Sequence, residues 1–178
     1  GPIEVVAPRV LYHVDRDQMD LSPPGDPGDG PRVSDGRVTV NARTIEFTLG
    51  SRKLKAETNV SSSLLPDKQS SRGNGAAKGQ SATKVPSMLK QDQPVNVTSN
   101  RLEYDGAAGN ARYMGNAKLW QTDTNVYADT IVVDDKTGNL EATGNVRTRM
   151  MVDDVDPQTK EKKQVLSKGS AESFFYED

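Results

Sequence analysis

A 23-residue pattern occurs twice near the middle of this chain, and it constrains the fold more than any other feature of the sequence. The first copy runs from Val97 to Leu119 and the second from Val126 to Thr148, and the two align without a gap at an offset of 29 residues. The copies are most alike at residue types that favour turns: Asp105 and Asp134, Gly109 and Gly138, Asn110 and Asn139, Gly115 and Gly144, Asn116 and Asn145. A repeat of this kind indicates an architecture built by stacking one unit on the next.

The apolar residues within each copy alternate with polar ones. Leu102 and Tyr104 are two positions apart in the first copy, as are Ile131 and Val133 in the second. Alternation with a period of two is the pattern of a β-strand with one buried face. Because Gly, Asn and Asp separate these segments, we predict that each copy forms two strands and two turns.

A change of parity inside the second copy makes the pattern more specific. Val126 and Ala128 share one parity, whereas Ile131 and Val133 share the other. A shift of one residue moves a side chain to the opposite face of a strand. All four side chains therefore face inward only if a bulge or corner lies between Asp129 and Ile131.

The same change of parity recurs elsewhere and predicts which side chains form the inward face. Near the ends of the chain the predicted inward residues are Val5, Ala7, Val10, Tyr12, Met19, Leu21, Ala171, Phe174 and Tyr176. The main inward face is predicted to consist of Val40, Ala42, Ile45, Phe47, Leu54, Ala56, Val60, Val97, Leu102, Tyr104, Tyr113, Ala117, Leu119, Val126, Ala128, Ile131, Val133, Leu140, Ala142 and Val146.

The composition suits a thin sheet rather than a thick core. Hydrophobic residues make up 33% of the chain and aromatic residues 5%. The formal net charge is −2, and Lys and Arg are scattered among Asp and Glu, which argues against a nucleic-acid surface. Cysteine is absent, so disulfides and thiolate metal sites are excluded. No apolar run approaches the roughly 20 residues of a membrane-spanning helix.

The chain is expected to form a single domain, residues 3–178, with three loop insertions. Gly1-Pro2 resembles the scar left after proteolytic removal of a tag, so we expect a fragment of a longer protein. The insertions are predicted at 22–36, 61–94 and 153–164, where Pro, Gly, Ser and charged residues dominate. The longest, 61–94, is predicted to be a disordered loop; a basic patch that contacts phosphate is the alternative.

The polar residues give no indication of catalysis. His13, the only histidine, follows Tyr12 and is predicted to point outward. Asp134 matches Asp105 at a turn and is predicted to cap it. No loop has the ligand spacing of a calcium site, and no glycine-rich loop leads into a helix as phosphate binding requires. We therefore predict neither an enzyme, nor a metal site, nor a cofactor.

Two segments of the second copy and two of the first carry a family resemblance. The pattern Val-x-Ala-Asp-x-Ile-x-Val-Asp over 126–134, followed by Gly-Asn-Leu-x-Ala-x-Gly-Asn-Val over 138–146, resembles the OstA-like repeat of the lipopolysaccharide-transport proteins LptA, LptC and the N-terminal domain of LptD. Residues 100–105 and 111–119 are similar to the same repeat. The resemblance is good over 95–149, fair over 37–60 and weak at both ends. The insertion at 61–94 departs from the family pattern.

This resemblance implies a twisted, partly open β-jelly roll in the periplasm, tethered to a membrane if the full-length protein carries an anchor. Its apolar groove would shelter the acyl chains of lipid A in lipopolysaccharide. Strand edges at the two ends would dock with other lipopolysaccharide-transport proteins, or with a second copy in a head-to-tail homo-oligomer. Whether the chain is the bridging protein, the inner-membrane-anchored member or the N-terminal domain of the outer-membrane member stays open.

Two other functions compete with lipid transport. The inward face fits an ordinary packed core, and the chain would then be a structural β-solenoid or sandwich that assembles through its edges without lipid. Against this, the small residues at the bends leave the two faces loosely packed unless a guest fills the space. An enzyme on a β-helix would need carboxylates clustered on one face, which the alternation does not supply.

Overall fold

The structure, a computed structural model, describes residues 3–23, 30–65, 84–155 and 162–178. These residues form one twelve-stranded sheet in which all pairings are antiparallel. The strands are β1 Glu4–Val6, β2 Arg9–His13, β3 Gln18–Ser22, β4 Arg32–Ser34, β5 Val38–Asn41, β6 Thr44–Thr48, β7 Lys53–Leu64, β8 Val95–Asp105, β9 Asn110–Trp120, β10 Asn125–Asp134, β11 Leu140–Val155 and β12 Lys162–Tyr176. The predicted all-β class is confirmed. No helix in the described ranges is long and apolar enough to cross a membrane.

The sheet consists of two halves that share six long strands. In one half, the strand order is β1-β4-β5, followed by one end of each strand from β7 to β12. In the other half, the order is β2-β3-β6, followed by the opposite ends of the same long strands. We call these half A and half B. Half A contains residues 60–64, 95–99, 117–120 and 125–128, and half B contains the remainder of β7–β10.

A line of β-bulges, which we call the seam, separates the two halves. Register shifts occur between Glu57 and Val60 in β7, and in the neighbouring strands as far as β11. Asp129 in β10 has no ladder partner on either side. The predicted bulge is therefore present, and both Ala128 and Ile131 are buried.

The Gly-Asn pairs of the repeat lie at this seam. Gly115 and Asn116 have φ of 77° and 50°, and Gly144 and Asn145 have φ of 78° and 51°. A Cβ at Gly144 would overlap the side chain of Asp129, so this position requires glycine for space as well as for conformation. The prediction of two turns per copy is thus wrong at these pairs, because each lies inside a continuous strand.

The core lies between the inner faces of the two halves. Its buried apolar residues come from β3 to β11, and a hydrogen bond of 2.8 Å joins Ser62 Oγ in half A to the Tyr113 hydroxyl in half B. The predicted inward orientation also holds for three residues near the ends of the chain. Val10 and Tyr12 lie opposite Leu21 and Met19, and Ala171 lies opposite Val146, so each shares a face with the core. All three are nevertheless exposed, because they lie on outermost strands of the sheet, β2 and β12.

The predicted insertions are too long, because strands extend into all three. β4 and the turn after it lie within 22–36, β7 continues to Leu64, and the β11–β12 hairpin is paired out to Val155 and Lys162. Cross-strand pairing in these segments outweighs their polar composition. Residues 24–29, 66–83 and 156–161 lie outside the described residues, as does most of the segment predicted to be disordered.

Candidate functional site: the inner face and its strap

The predicted inward face is assembled as one surface. Nineteen of its twenty residues are buried, with exposed fractions of 9% or less, and Tyr104 is partly buried against them. Low exposure is expected both for the side chains of a packed core and for those of a lipid-binding groove that is closed. The role of these residues in lipid contact therefore stays a prediction.

Five further buried apolar residues complete this surface. Leu21 was predicted to face inward, whereas Val33, Val85, Leu89 and Val95 were not predicted. Val33 lies in β4, where the short strand next to a Pro-rich loop obscures the alternation. Val85 and Leu89 belong to no strand. Their one signal is that, with Met88, they are apolar residues in a mostly polar segment.

The segment Lys84–Gln93, which we call the strap, is fixed at one end to half B. The Lys84 backbone N–H donates to the Asp135 carbonyl at 2.7 Å, and its ammonium lies 2.8 Å from the Asp178 carboxylate. The hydroxyls of Ser87 and Tyr176 are 2.6 Å apart. The bonds from Lys84 and Ser87 hold the pKa of Asp178 at about 2.

The other end of the strap is fixed to half A by Gln121, in the turn between β9 and β10. Its side-chain oxygen accepts from the Lys90 backbone N–H at 2.7 Å, and its amide donates to the carbonyls of Lys90 and Gln93 at 2.9 and 3.0 Å. Gln121 is only 4% exposed. One buried side chain thus satisfies three backbone groups of the strap.

The two anchors lie far from the seam, at the free ends of the two halves. Asp135 and Tyr176 are at the free end of half B, and Gln121 is at the free end of half A. The strap therefore crosses the opening between the halves, which we call the mouth. Val85 and Leu89, 3% and 2% exposed, point into the core beneath it. The prediction of a disordered loop is wrong for this part of 61–94, because these apolar groups and the Gln121 bonds fix it.

The polar rim of half B is organised by aspartates. Asp105 and Asp134 each accept two backbone N–H groups of their turn, at 3.0 and 2.9 Å respectively, as predicted for caps. These bonds, above all from Ala108 and Thr137, lower the pKa of both carboxyls. Asp135 instead accepts from the Tyr104 hydroxyl at 3.0 Å. Burial raises the pKa of Asp135 and of Tyr104.

The outermost strands of the sheet have free edges. β1 and β2 form one edge, and exposed apolar residues near it include Ile3, Val6, Val10, Leu11 and Tyr12. β12 forms the other edge, where Phe175 is 58% exposed. His13 lies near the first edge and bonds Asp20 at 2.8 Å, away from the inner face. Among the described residues, no group of three or more histidine and acidic side chains is placed to hold a metal ion.

Comparison with known proteins assigns the family. Residues 32–139 and 96–175 match the family described as LptA/(LptD N-terminal domain) LPS transport protein. The fold is similar to the crystal structure of LptH, the LptA-homologous periplasmic component of the conserved lipopolysaccharide transport device from Pseudomonas aeruginosa. The TM-score is 0.59 and the identity 12%, and the alignment covers 94% of each chain. Curated protein sequences give no significant match. Because the family match extends over most of the chain, the chain belongs to the LptA/LptD N-terminal-domain family of lipopolysaccharide transport proteins.

Proposed function

We propose that this chain carries lipopolysaccharide through the periplasm with the acyl chains of lipid A held between the two halves of the sheet. The observation that carries the proposal is the continuous apolar inner face. It crosses the seam without a polar interruption in β10, where Val126 and Ala128 lie on one side and Ile131 and Val133 on the other. Family membership supplies the substrate class, and the fold of LptH supports the periplasmic location.

The energetics suit a carrier rather than a permanent binding site. Each methylene removed from water contributes roughly 0.8 kcal/mol, so an acyl chain of about twelve carbons gains on the order of 10 kcal/mol before entropic losses. Such a chain does not leave for water at a useful rate. It leaves when a neighbouring apolar surface of similar energy is offered, as a row of similar domains would do.

Entry of a lipid requires the mouth to open. The inner face is closed to solvent, and Val85 and Leu89 of the strap lie beneath the opening. A surface depression of about 280 Å³ borders the strap at Ser87–Lys90. We infer that acyl chains displace the apolar side of the strap and take its place against the inner face. Most anchors of the strap are side-chain bonds at its two ends, and these can be broken without unpairing any strand.

Photo-crosslinking tests this assignment. A diazirine amino acid of leucine size at position 102 or 131 should crosslink to lipopolysaccharide, because both side chains belong to the inner face. The matched control is position 130, where Thr130 is only partly buried and has the opposite orientation in the same strand. We expect much more adduct at 102 and 131 than at 130, because only the first two side chains face the space between the halves. Equal yields at all three positions would contradict the groove.

The structural alternative gives a different result in an exchange assay. If the inner face is only a packed core, a fluorescent fatty-acyl probe will not bind to the protein, and adding lipid A will not change the fluorescence of the probe. If the proposal holds, the probe binds and lipid A displaces it.

We further propose that the free edges dock similar domains in a head-to-tail row. Unpaired strand edges with exposed apolar side chains are templates for β-pairing, and β1, β2 and β12 supply one at each end of the sheet. Replacing Val10 and Leu11 in β2 with lysine should weaken self-association roughly tenfold, as measured by sedimentation velocity over a range of concentrations. Val14→Lys is the control, because Val14 is 79% exposed and follows the strand. An unchanged association constant in the β2 variant would rule out this edge.

A further inference from the structure

The outer face of half A collects cations that are scattered in the sequence. Cross-strand partners form a row Thr98–Lys118–Tyr127–Arg147–Ser170 over β8 to β12. The next row is Asn96–Trp120–Asn125–Arg149–Lys168. Four of these ten residues are Lys or Arg, and none is acidic. We call this surface the basic face.

The outer face of half B is different, although it belongs to the same strands. Its corresponding row is Glu46–Lys55–Glu103–Arg112–Val132–Glu141–Phe175, in which charges of opposite sign alternate. Cross-strand pairs of opposite charge neutralise each other. The segregation of charge is therefore a property of half A, in a chain whose net charge is −2.

The cations of the basic face have no carboxylate partners within the described residues. The Lys118 ammonium lies over the rings of Trp120 and Tyr127, at 4.8 and 5.3 Å from their centroids, and the Arg147 guanidinium is 5.9 Å from the Tyr127 ring. Arg149 and Lys168 form neither an ion pair nor a hydrogen bond with a described side chain. Four unneutralised charges on one small surface produce a positive field that attracts an anionic partner.

An apolar projection adjoins the basic face. The β10 pairing ends at Asn125 opposite Arg149, so beyond this point β11 pairs with β12 alone. Two residues further along the same strands, Met151 lies opposite Leu166, followed by Val152 opposite Val165. All four are between 37% and 44% exposed. A two-stranded ribbon of this kind has little stability in water by itself, and its apolar side chains are left partly exposed to solvent.

We propose that the basic face and this projection bind the surface of a bilayer that contains anionic phospholipids. Cations attract the phosphate headgroups, Trp120 and Tyr127 have the amphipathic character found at membrane interfaces, and the side chains of Met151 and Leu166 enter the headgroup region. A soluble phosphate would use the cations but leave these two aliphatic side chains exposed. The combination favours a lipid surface. It is independent of the inner face, because Met151 and Leu166 share the outer face with Arg149 and Lys168.

Vesicle sedimentation with the whole chain tests the proposal without lipopolysaccharide. The chain should bind vesicles of phosphatidylcholine and phosphatidylglycerol in equal parts and not vesicles of phosphatidylcholine alone. The double substitution Arg149→Gln and Lys168→Gln should lower the partition coefficient roughly twenty-five-fold, because each cation near an anionic surface contributes about fivefold. Added salt should weaken wild-type binding in the same direction.

Two further variants separate the basic face from general charge. Lys55→Gln with Arg112→Gln removes the same charge from half B and should change binding less than about twofold, since these cations alternate with acids. Met151→Ser with Leu166→Ser keeps the charge and should still weaken binding. Circular dichroism and the melting temperature confirm that each variant is folded. Equal loss in the two charge variants, equal binding to both kinds of vesicle, or tighter binding to a DNA oligonucleotide than to the anionic vesicles would each overturn the proposal. Failure here leaves the crosslinking result at positions 102 and 131 unaffected.

Discussion

Replacing Ile131 with aspartate should unfold the domain or bring it close to unfolding. Ile131 is fully buried in β10, and its cross-strand neighbours, Tyr113 in β9 and Ala142 in β11, offer no positive charge to a carboxylate there. An unpaired buried charge costs on the order of 5 kcal/mol, which is the whole stability of many domains of this size. Chemical denaturation should show a large fall in the midpoint or no cooperative transition.

The control is Thr130→Asp, at the neighbouring position on the outer face. Thr130 is only partly buried, so a carboxylate there stays hydrated, and we expect a change within about 1 kcal/mol. A stable Ile131→Asp protein with native denaturation behaviour would mean that the interior admits water, and would contradict the closed inner face. For the same reason, loss of lipid binding in this variant is not evidence of direct contact, and crosslinking is the sharper test.

Truncating Leu89 to alanine should destabilise the domain by about 2–4 kcal/mol. Leu89 is 2% exposed and belongs to the core cluster although it lies outside every strand. Its removal leaves a cavity beneath the mouth and loosens the strap between its Gln121 and Lys84 anchors. Hydrogen exchange should rise first at the strap amides, before any strand is affected.

Leu65→Ala is the matched control for this substitution. Leu65 also lies outside the strands, at the opposite end of the same insertion, but is 50% exposed. Its truncation should change stability by less than about 0.5 kcal/mol. If the proposed entry route is correct, Leu89→Ala also speeds exchange of a fatty-acyl probe, whereas Leu65→Ala does not. Equal stability of the two variants would show that the strap is not part of the core.

The alternation and its change of parity predicted the central parts of the long strands and nineteen of the buried residues of the inward face. The prediction succeeded because a bulge shifts the alternation of apolar and polar residues by one position, as at Asp129. It failed at the Gly-Asn pairs, since glycine with positive φ serves a turn and a bulge equally well. Only the strand register distinguishes them, because pairing continues on both sides of the unpaired Gly115 and Asn116.

The strap and the basic face could not be predicted from local patterns. Val85 and Leu89 are two apolar residues in a polar segment, and their burial depends on Gln121 some thirty positions later. Lys118, Arg147 and Lys168 are distant in sequence and become neighbours only through the register of β9 to β12. Both features depend on contacts between residues that are distant in sequence, and composition does not predict such contacts.

The six shared strands restrict how the inner space can change its size. Because β7 to β12 pass through the seam without a break in the chain, the two layers cannot slide past each other. The remaining motion is a change in the angle between the two halves, with the row of bulges as the hinge. If acyl chains bind between the halves, lipids of different width are accommodated by this change of angle rather than by exchange of side chains. Residues next to the seam would then move least and those beneath the strap most.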